Sequence, residues 1–319
     1  MKLIGIDLGG TNIAVGLVDE NGNILQKSTT PTLAYRPNAE VLDDIAKCCF
    51  DVCKKAGIEI TDVDACGIAS PGICNSTTGV VERAENMHFK AYPIVEELRR
   101  RTGIKNILIE NDANAAAKGE AEVGAAKGHA SSIMVTLGTG VGGGVIVDHK
   151  IVSGFNFAGA ELGHMVIVKD GRECGCGRRG CWEAYSSATA LVRTTKEYME
   201  KHPDSAMWEI AGSLDRVNGR TAFDAMRKGD KWGQAVVDEY IDYLACGVTN
   251  LINIFQPEVL SIGGGISNER DTLILPLIEK VRRDSFDSTT NLPKTKICIA
   301  ALRNDAGIIG AAKFAMDHK

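Results

Sequence analysis

"KLIGIDLGGTNIAVGLVDENGNIL" (residues 2–25) and "SSIMVTLGTGVGGGVIVDHKIVSG" (residues 131–154) follow one plan twice. In the first stretch, residues 3–7 read as a strand, Gly9-Gly10 as a tight turn and residues 13–18 as a second strand. Glu20-Asn21-Gly22-Asn23 then makes a hairpin turn into a third strand that starts at Ile24. In the second stretch Thr136 falls where Asp7 does, Gly138 where Gly9 does and Asp148 where Asp19 does, at a constant offset of 129 residues (136 − 7 and 148 − 19). Two such units at matched spacing predict a duplicated α/β fold, one unit per lobe.

Outward from these units the pattern becomes strand–helix alternation. Residues 38–56 are helically periodic and stop at Gly57, a C-cap. Residues 65–69 read as a strand before the Ser70-Pro71-Gly72 turn, and 107–110 as a strand feeding Asn111-Asp112 and an Ala-rich helix. Further helices are expected over 183–200, 221–228, 232–255, 273–283 and 305–317, the last of them built of small residues. Residues 259–262 read as a strand ending in Gly263-Gly264-Gly265. The pattern implies mixed sheets flanked by helices in each of two lobes around a cleft. The expected division is 1–117 plus 304–319 for a smaller N-terminal lobe and 118–303 for a larger one, with a hinge near Lys118.

Length and composition bound the function. A chain of 319 residues, 44% hydrophobic and 24% charged, is an ordinary globular protein long enough for two domains. A net charge of −5 gives no general attraction to nucleic acid or to anionic lipid, and the basic clusters at 99–101 and 178–179 are short. No apolar run is long enough for a membrane span, and the charge of Asp7 ends the first hydrophobic run early, so a cytoplasmic protein is expected. Among ten cysteines, Cys48, Cys49, Cys53, Cys66, Cys246 and Cys298 sit in apolar surroundings and read as buried, reduced thiols.

The glycine turns carry the first chemistry. Gly9, Gly10, Gly138, Gly140, Gly142, Gly143 and Gly144 expose backbone N–H groups, and polyphosphate is the common guest of such nests. Asp7 could hold Mg²⁺, and the hydroxyls of Thr11 and Thr139 could donate to phosphate oxygens. The plainer reading is a pair of hairpin turns. Neither is a Walker A loop, because no Gly-Lys-Ser/Thr follows. Gly264-Gly265 offers a third flat backbone surface, suited to an adenosine.

Asn111-Asp112 stands where a strand gives way to a helix. An N-cap is one reading. The other is a catalytic carboxylate, which the helix N-terminus would keep ionised at pH 7 and which would accept a hydroxyl proton as a phosphoryl group transfers.

"GHMVIVKDGRECGCGRRGCWE" (residues 163–183) gathers His164, Cys174, Cys176 and Cys181. Three thiolates and an imidazole are a closed tetrahedral zinc set, hence structural. The rival is a disulfide or redox switch, which the short Cys-x-Cys spacing and a reducing compartment oppose. Gly175, Gly177 and Gly180 would let the loop fold around the ion. Glu161 lies three residues before His164 and Glu183 two after Cys181, so closing one ion would bring both carboxylates to a region where they can accept hydrogen bonds from sugar hydroxyls. His164 would spend one nitrogen on the metal and keep the other for the ligand. Surface or helix-start charges are the plainer reading of both glutamates.

"IDLGGTN", "LIENDANAAA", "LGTGVGGG", "GAELGH", "CGCGRRGCWE" and "LSIGGGIS", in this order, resemble the ROK family of sugar kinases over essentially the whole chain. The resemblance implies the duplicated actin/hexokinase-type (ribonuclease H-like) fold and ATP-dependent phosphorylation of a hexose with Mg²⁺, most nearly by a bacterial glucokinase acting at the 6-hydroxyl. It implies a homodimer or homotetramer and a structural zinc on His164, Cys174, Cys176 and Cys181. It matches Asp112 to the general base, and Gly72, Asn86, Asn111, Glu161, His164 and Glu183 to sugar contacts. Asp7, Gly9, Gly10, Thr11, Asn12, Gly138, Thr139, Gly140, Gly264 and Gly265 match the nucleotide side. Glucokinases of the family carry a small residue and Trp soon after the asparagine, where this chain has Met87-His88-Phe89. That departure leaves N-acetylmannosamine, N-acetylglucosamine, fructose and allose beside glucose, and the glycine nests would accept polyphosphate as well as ATP. The family also contains sugar-sensing repressors with a DNA-binding segment ahead of the first glycine turn, for which Asp7 leaves no room. An actin-like filament protein would not explain the cysteine loop.

Overall fold

A computed structural model describes residues 1–318 of the chain. From the N-terminus come β1 (Leu3–Leu8), β2 (Asn12–Val18), β3 (Ile24–Pro31), α1 (Asn38–Ala56), β4 (Ala65–Ser70), β5 (Ile73–Asn75), β6 (Val80–Ala84) and β7 (Phe89–Tyr92). α2 (Ile94–Thr102), β8 (Ile107–Asn111), α3 (Asp112–Glu122), β9 (Ser132–Leu137), β10 (Val141–Val147) and β11 (Lys150–Ile151) follow. The remainder is largely helical: α4 (Glu183–Ser186), α5 (Ala188–Lys201), α6 (Met207–Ala211), α7 (Thr221–Arg227) and α8 (Lys231–Phe255). After β12 (Val259–Gly263), α9 (Asp271–Asp284) and β13 (Lys296–Ile299), the helix α10 (Ala306–Asp317) closes the chain.

The first five-stranded sheet has the order β3-β2-β1-β4-β8 and the second β11-β10-β9-β12-β13. Each is the same path through five strands taken in sequence, so the duplication extends beyond the paired glycine turns to the whole sheet. β9 and β10 occupy the residues 129 positions on from β1 and β2 (132 − 3 and 141 − 12). The third strand departs from the repeat. Asp148 and His149 both take positive φ, a two-residue hairpin, and β11 is cut to two residues. A separate antiparallel sheet, β5-β6-β7, had no counterpart in the sequence reading.

Contacts divide the chain into two compact units, one of residues 1–134, 144–160 and 301–319 and the other of 135–143 and 161–300. Lys118, where the sequence suggested a hinge, lies in the middle of α3, 4% exposed and ion-paired to Glu122 and Asp317.

In the first unit the period of two along β1 decides what each face meets. Ile4, Ile6 and Leu8 pack into a core with Val41, Leu42, Ile45, Cys49 and Val52 of α1. The alternate residues Leu3, Gly5 and Asp7 face α10: Leu3 packs with Ile308, Ala312 and Ala315, and a Cβ on Gly5 would stand 1.9 Å from the Ile308 carbonyl oxygen. A sheet covered on both faces buries its strands throughout, which is why β1 and β4 read as nearly continuous apolar runs. Cys48, Cys49, Cys53 and Cys66 are buried in this unit as expected, whereas Cys246 on α8 is exposed. Among the described residues no helix is long and apolar enough to cross a membrane.

Candidate active site

β1, β4 and β8 run parallel, so their carboxyl ends open on one edge of the first sheet, the usual ligand edge of an α/β sheet. That edge carries Asp7, the Ser70-Pro71-Gly72 turn and Asn111-Asp112. Asp112 is the first residue of α3, and its Oδ1 accepts from the Ala113 N–H at 2.9 Å. Burial nevertheless lifts its carboxyl above the ordinary aspartate range and outweighs that bond. The helix N-terminus favours the charged form, and burial moves the carboxyl in the opposite direction. Asp7 is pushed up to about 6, first by burial and then by the negative charge of Asp112, with Lys27 opposing. The first turn of α10 comes down on it, since a Cβ on Gly307 would stand 2.7 Å from the Asp7 carboxyl carbon. Asp7, Asn12, Lys27, Thr29, Thr30 and Asn304 line a cavity of about 570 Å³.

The N-cap role belongs to Asn111. Its Oδ1 accepts from the N–H groups of Ala113 and Asn114, at 2.9 and 3.2 Å, and its Nδ2 donates to the Gly72 carbonyl at 3.1 Å. Gly72 has φ +90°, and a Cβ there would meet the Arg83 carbonyl at 2.1 Å, so the turn beside Asn111 requires glycine. Asn86 falls in a 3-10 turn after β6; its side chain lies outside the described residues. The first glycine turn is held from below by buried Thr32, whose hydroxyl donates to the Gly9 carbonyl at 2.6 Å and whose N–H donates to the Thr11 carbonyl at 2.8 Å. Gly10, Thr11 and Asn12 are exposed above it.

The second glycine turn is shorter than the sequence implied. Gly142, Gly143 and Gly144 lie within β10, where Gly144 lets α3 approach: a Cβ there would be 2.6 Å from the Ala117 methyl. Gly138, Thr139 and Gly140 remain as the turn. The Gly138 carbonyl accepts from the Ala188 N–H at 2.8 Å, and the Thr139 carbonyl from the Thr189 hydroxyl at 2.8 Å. Those contacts exist because the helix expected over 183–200 is broken. Ser187 leaves helical geometry, and its hydroxyl caps α5 by accepting from the Ala190 N–H at 3.0 Å. A helix N-terminus, which favours anions, thus lies beside the turn. Thr139, Glu183, Ser187, Thr189 and Arg193 help line a cavity of about 150 Å³ there. Gly264 packs on the end of β9, a Cβ there meeting the Leu137 carbonyl at 2.4 Å, while Gly265 is open.

The loop between Glu161 and Glu183 folds as a doubled-back ribbon. Met165 accepts from the Trp182 N–H at 2.8 Å and Gly180 from the Ile167 N–H at 2.9 Å, while Gly177 and Gly180 take the left-handed backbone the turns need. The ligand atoms of His164, Cys174, Cys176 and Cys181 all lie within 4.8 Å of one another, and these residues could hold a metal ion. His164 Nδ1 stands 3.6 Å from Cys174 Sγ, and Cys176 and Cys181 are 3.7 Å apart at sulfur. Glu183 is anchored by its neighbour Trp182, fully buried, whose Nε1 donates to the Tyr243 carbonyl at 3.0 Å. Its Oε2 accepts from the Val141 N–H at 3.0 Å and its Oε1 stands 3.6 Å from Cys174 Sγ, so one carboxylate touches both the metal loop and the glycine turn. Glu161 opens the 3-10 turn Leu162–His164, whose Gly163 lies so close to Val141 that a Cβ would be 2.1 Å from its carbonyl oxygen. Glu183 and the turn that Glu161 opens therefore both pack on Val141. Sequence reading missed Lys27, Gly307, Ser187, Thr189 and Arg193, whose positions depend on the folded neighbourhood; only Ser187, a capping residue type, carried a local signal.

The ROK family model matches residues 3–318. The glucokinase of Thermotoga maritima is 41% identical over 313 residues, 98% of this chain and 96% of that protein. The glucokinase of Streptomyces coelicolor is 37% identical over 317 residues, 98% of this chain and 97% of its own length. A crystal structure of a ROK family glucokinase from Streptomyces griseus in complex with glucose and AMPPNP superposes with a TM-score of 0.83 at 35% identity, covering 99% of this chain and 100% of that one. The duplicated sheets are thus those of the actin/hexokinase-type fold shared by ROK sugar kinases, and with the match running unbroken from β1 to α10 the chain belongs to the ROK family.

Proposed function

We propose that this protein is an ATP-dependent hexose kinase that transfers the γ-phosphoryl group of ATP to the 6-hydroxyl of glucose. The observation that carries the reading is the pair of carboxylates on one sheet edge, Asp7 and Asp112, both held above the ordinary aspartate range in an interior that disfavours their charge. Glucokinase relatives at 37–41% identity over nearly the full chain support glucose as the sugar.

Asp112 is the general base. A raised pKa makes it a better proton acceptor than an exposed aspartate, and it takes the hydroxyl proton as the oxygen–phosphorus bond forms. Asp7, buried and beside the negative Asp112, would hold the Mg²⁺ that accompanies ATP, an ion that neutralises phosphate charge in the transition state. Gly9, Gly10, Thr11 and Asn12, and Gly138, Thr139 and Gly140 with the start of α5, serve the phosphates; Gly264 and Gly265 serve the adenosine. Asn111, Asn86, the Gly72 turn, Glu161, His164 through Nε2, and Glu183 serve the sugar.

Zinc fits the cysteine loop. A tetrahedral ion with metal–sulfur bonds of about 2.3 Å sets its sulfurs about 3.8 Å apart, and Cys176 and Cys181 stand at 3.7 Å. When bound it supplies structure only, because four protein donors leave no open position. The buried thiols Cys49 and Cys66 fit a reducing, cytoplasmic setting, and the family resemblance supports a homodimer or homotetramer.

ADP release with a panel of sugars tests the reading. Turnover with glucose, dependent on Mg²⁺ and ATP, is expected. Turnover only with an N-acetylated hexose, or only with polyphosphate, would move the substrate assignment, and none with any sugar would overturn the kinase.

A further inference from the structure

We infer that Glu110, the residue before the Asn111-Asp112 pair, is a positioning residue that sets the geometry of the general base and ties it to the segment leading to Glu161. The inference rests on the kinase reading above. Glu110 is the last residue but one of β8 and is 2% exposed. Three bonds fix its carboxylate. Oε1 accepts from the Asn111 N–H at 2.9 Å and from the Asn114 side-chain amide at 3.0 Å, and Oε2 accepts from the Ser153 hydroxyl at 3.1 Å.

Each bond lands on something the chemistry depends on. The first orients the peptide from which Asn111 and then Asp112 depart. The second holds the first turn of α3 from its inner side, while Asn111 caps that turn from outside. The third reaches Ser153, in the segment after β11 that runs on to Glu161 eight residues later. A side chain spending a buried carboxylate on bonds around one strand-to-helix junction constrains where the next residue but one can point. An error of about 1 Å in a reacting group costs on the order of a hundredfold in rate, so such constraint is worth having.

The role is geometric rather than electrostatic. Burial raises the Glu110 carboxyl above its ordinary range, with the three bonds opposing, so a neutral group of the same shape fits the site. Glutamine keeps an oxygen for Asn111 and Asn114 and turns an amide toward Ser153, whose hydroxyl can accept. Aspartate keeps the charge but is one methylene too short to span the three partners.

The test compares Glu110→Gln with Glu110→Asp, each measured as kcat per folded molecule with glucose and ATP, alone and in an Asp112→Asn background. Glu110→Gln is expected within about fivefold of wild type, and Glu110→Asp at least about tenfold below it, on the scale of a misplaced base. In the Asp112→Asn background the Glu110→Asp loss should vanish, because a residue acting through the base has nothing left to position. A purely structural role would lower the melting temperature while leaving kcat per folded molecule unchanged. Equal rates for the two variants, the reverse order, or additive losses with Asp112→Asn would each overturn the inference. Absence of turnover in the wild type would instead overturn the kinase reading. Should Glu110→Asp not fold, Ser153→Ala and Asn114→Ala, which remove the partners singly, must each lower kcat per folded molecule, and unchanged kcat in both overturns the inference.

Discussion

Asp7 loses water beneath the first turn of α10 and feels the negative charge of Asp112, and together these lift its pKa to about 6. An aspartate in the unfolded chain gives up its proton near its ordinary value of 3.8. Between those two values the folded state binds more protons than the unfolded one, so stability falls as pH rises and the full cost is present above about 6. Asp7→Asn removes that cost. In buffer without added magnesium, Asp7→Asn should melt above wild type at pH 7.5, with the gap closing toward pH 4; a gap independent of pH would show that the Asp7 charge is not strained. Asp112→Asn makes the complementary case. It should fold and bind glucose yet lose at least about two orders of magnitude in kcat, the scale for a positioned base. Near-wild-type kcat would remove Asp112 from the role. That Asp112 sits on a strand-to-helix junction was legible in "LIENDANAAA". Its raised pKa was not, because burial is a property of the fold.

At the scale of elements, close packing of small residues explains α10. Gly67 on β4 lies under Ala311, where a Cβ would be 1.8 Å from a carbonyl oxygen, and Gly310 lies under Ala115 of α3, where it would be 1.6 Å away. The clashes are with backbone, which cannot turn aside, so Gly310→Ala should force α10 off α3. A loss of about 1–3 kcal/mol or more is expected from the urea midpoint, the cost of overpacking a tight core. An unchanged midpoint would mean the two helices part freely. The sequence disclosed α10 as a run of small residues and placed α1 with its Gly57 cap, because period and punctuation are local. It ran α4 and α5 together, since nothing in the residues 183–200 but Ser187 interrupts a helical period. It passed over β5, β6 and β7, three to five residues each, too short for alternation to register.

Across the whole chain, one ancestral plan has been put to two uses. Asp7 near the end of β1 corresponds to Thr136 near the end of β9, so only the first copy carries a carboxylate there, the one proposed to hold Mg²⁺. The copy that lacks it has been joined to the metal loop. The junction is a short relay: Cys174 Sγ to Glu183 Oε1 at 3.6 Å, then Glu183 Oε2 to the Val141 N–H at 3.0 Å, immediately after Gly140. Val141 and Glu183 lie 42 residues apart in the sequence; in the structure one hydrogen bond joins the carboxylate proposed to read the sugar to the turn proposed to bind phosphate. Metal removal should therefore affect both substrates. Stripping zinc with a chelator, then restoring excess Mg²⁺, is expected to raise the glucose KM at least about tenfold, as loss of outer support for a binding group does. The ATP KM should rise too, by a smaller factor, because the turn keeps its bonds to Ala188 and Thr189. Re-addition of Zn²⁺ should restore both. A metal-free protein with an unchanged glucose KM would separate the loop from the sugar, and a changed glucose KM with an unaltered ATP KM would break the relay at Val141.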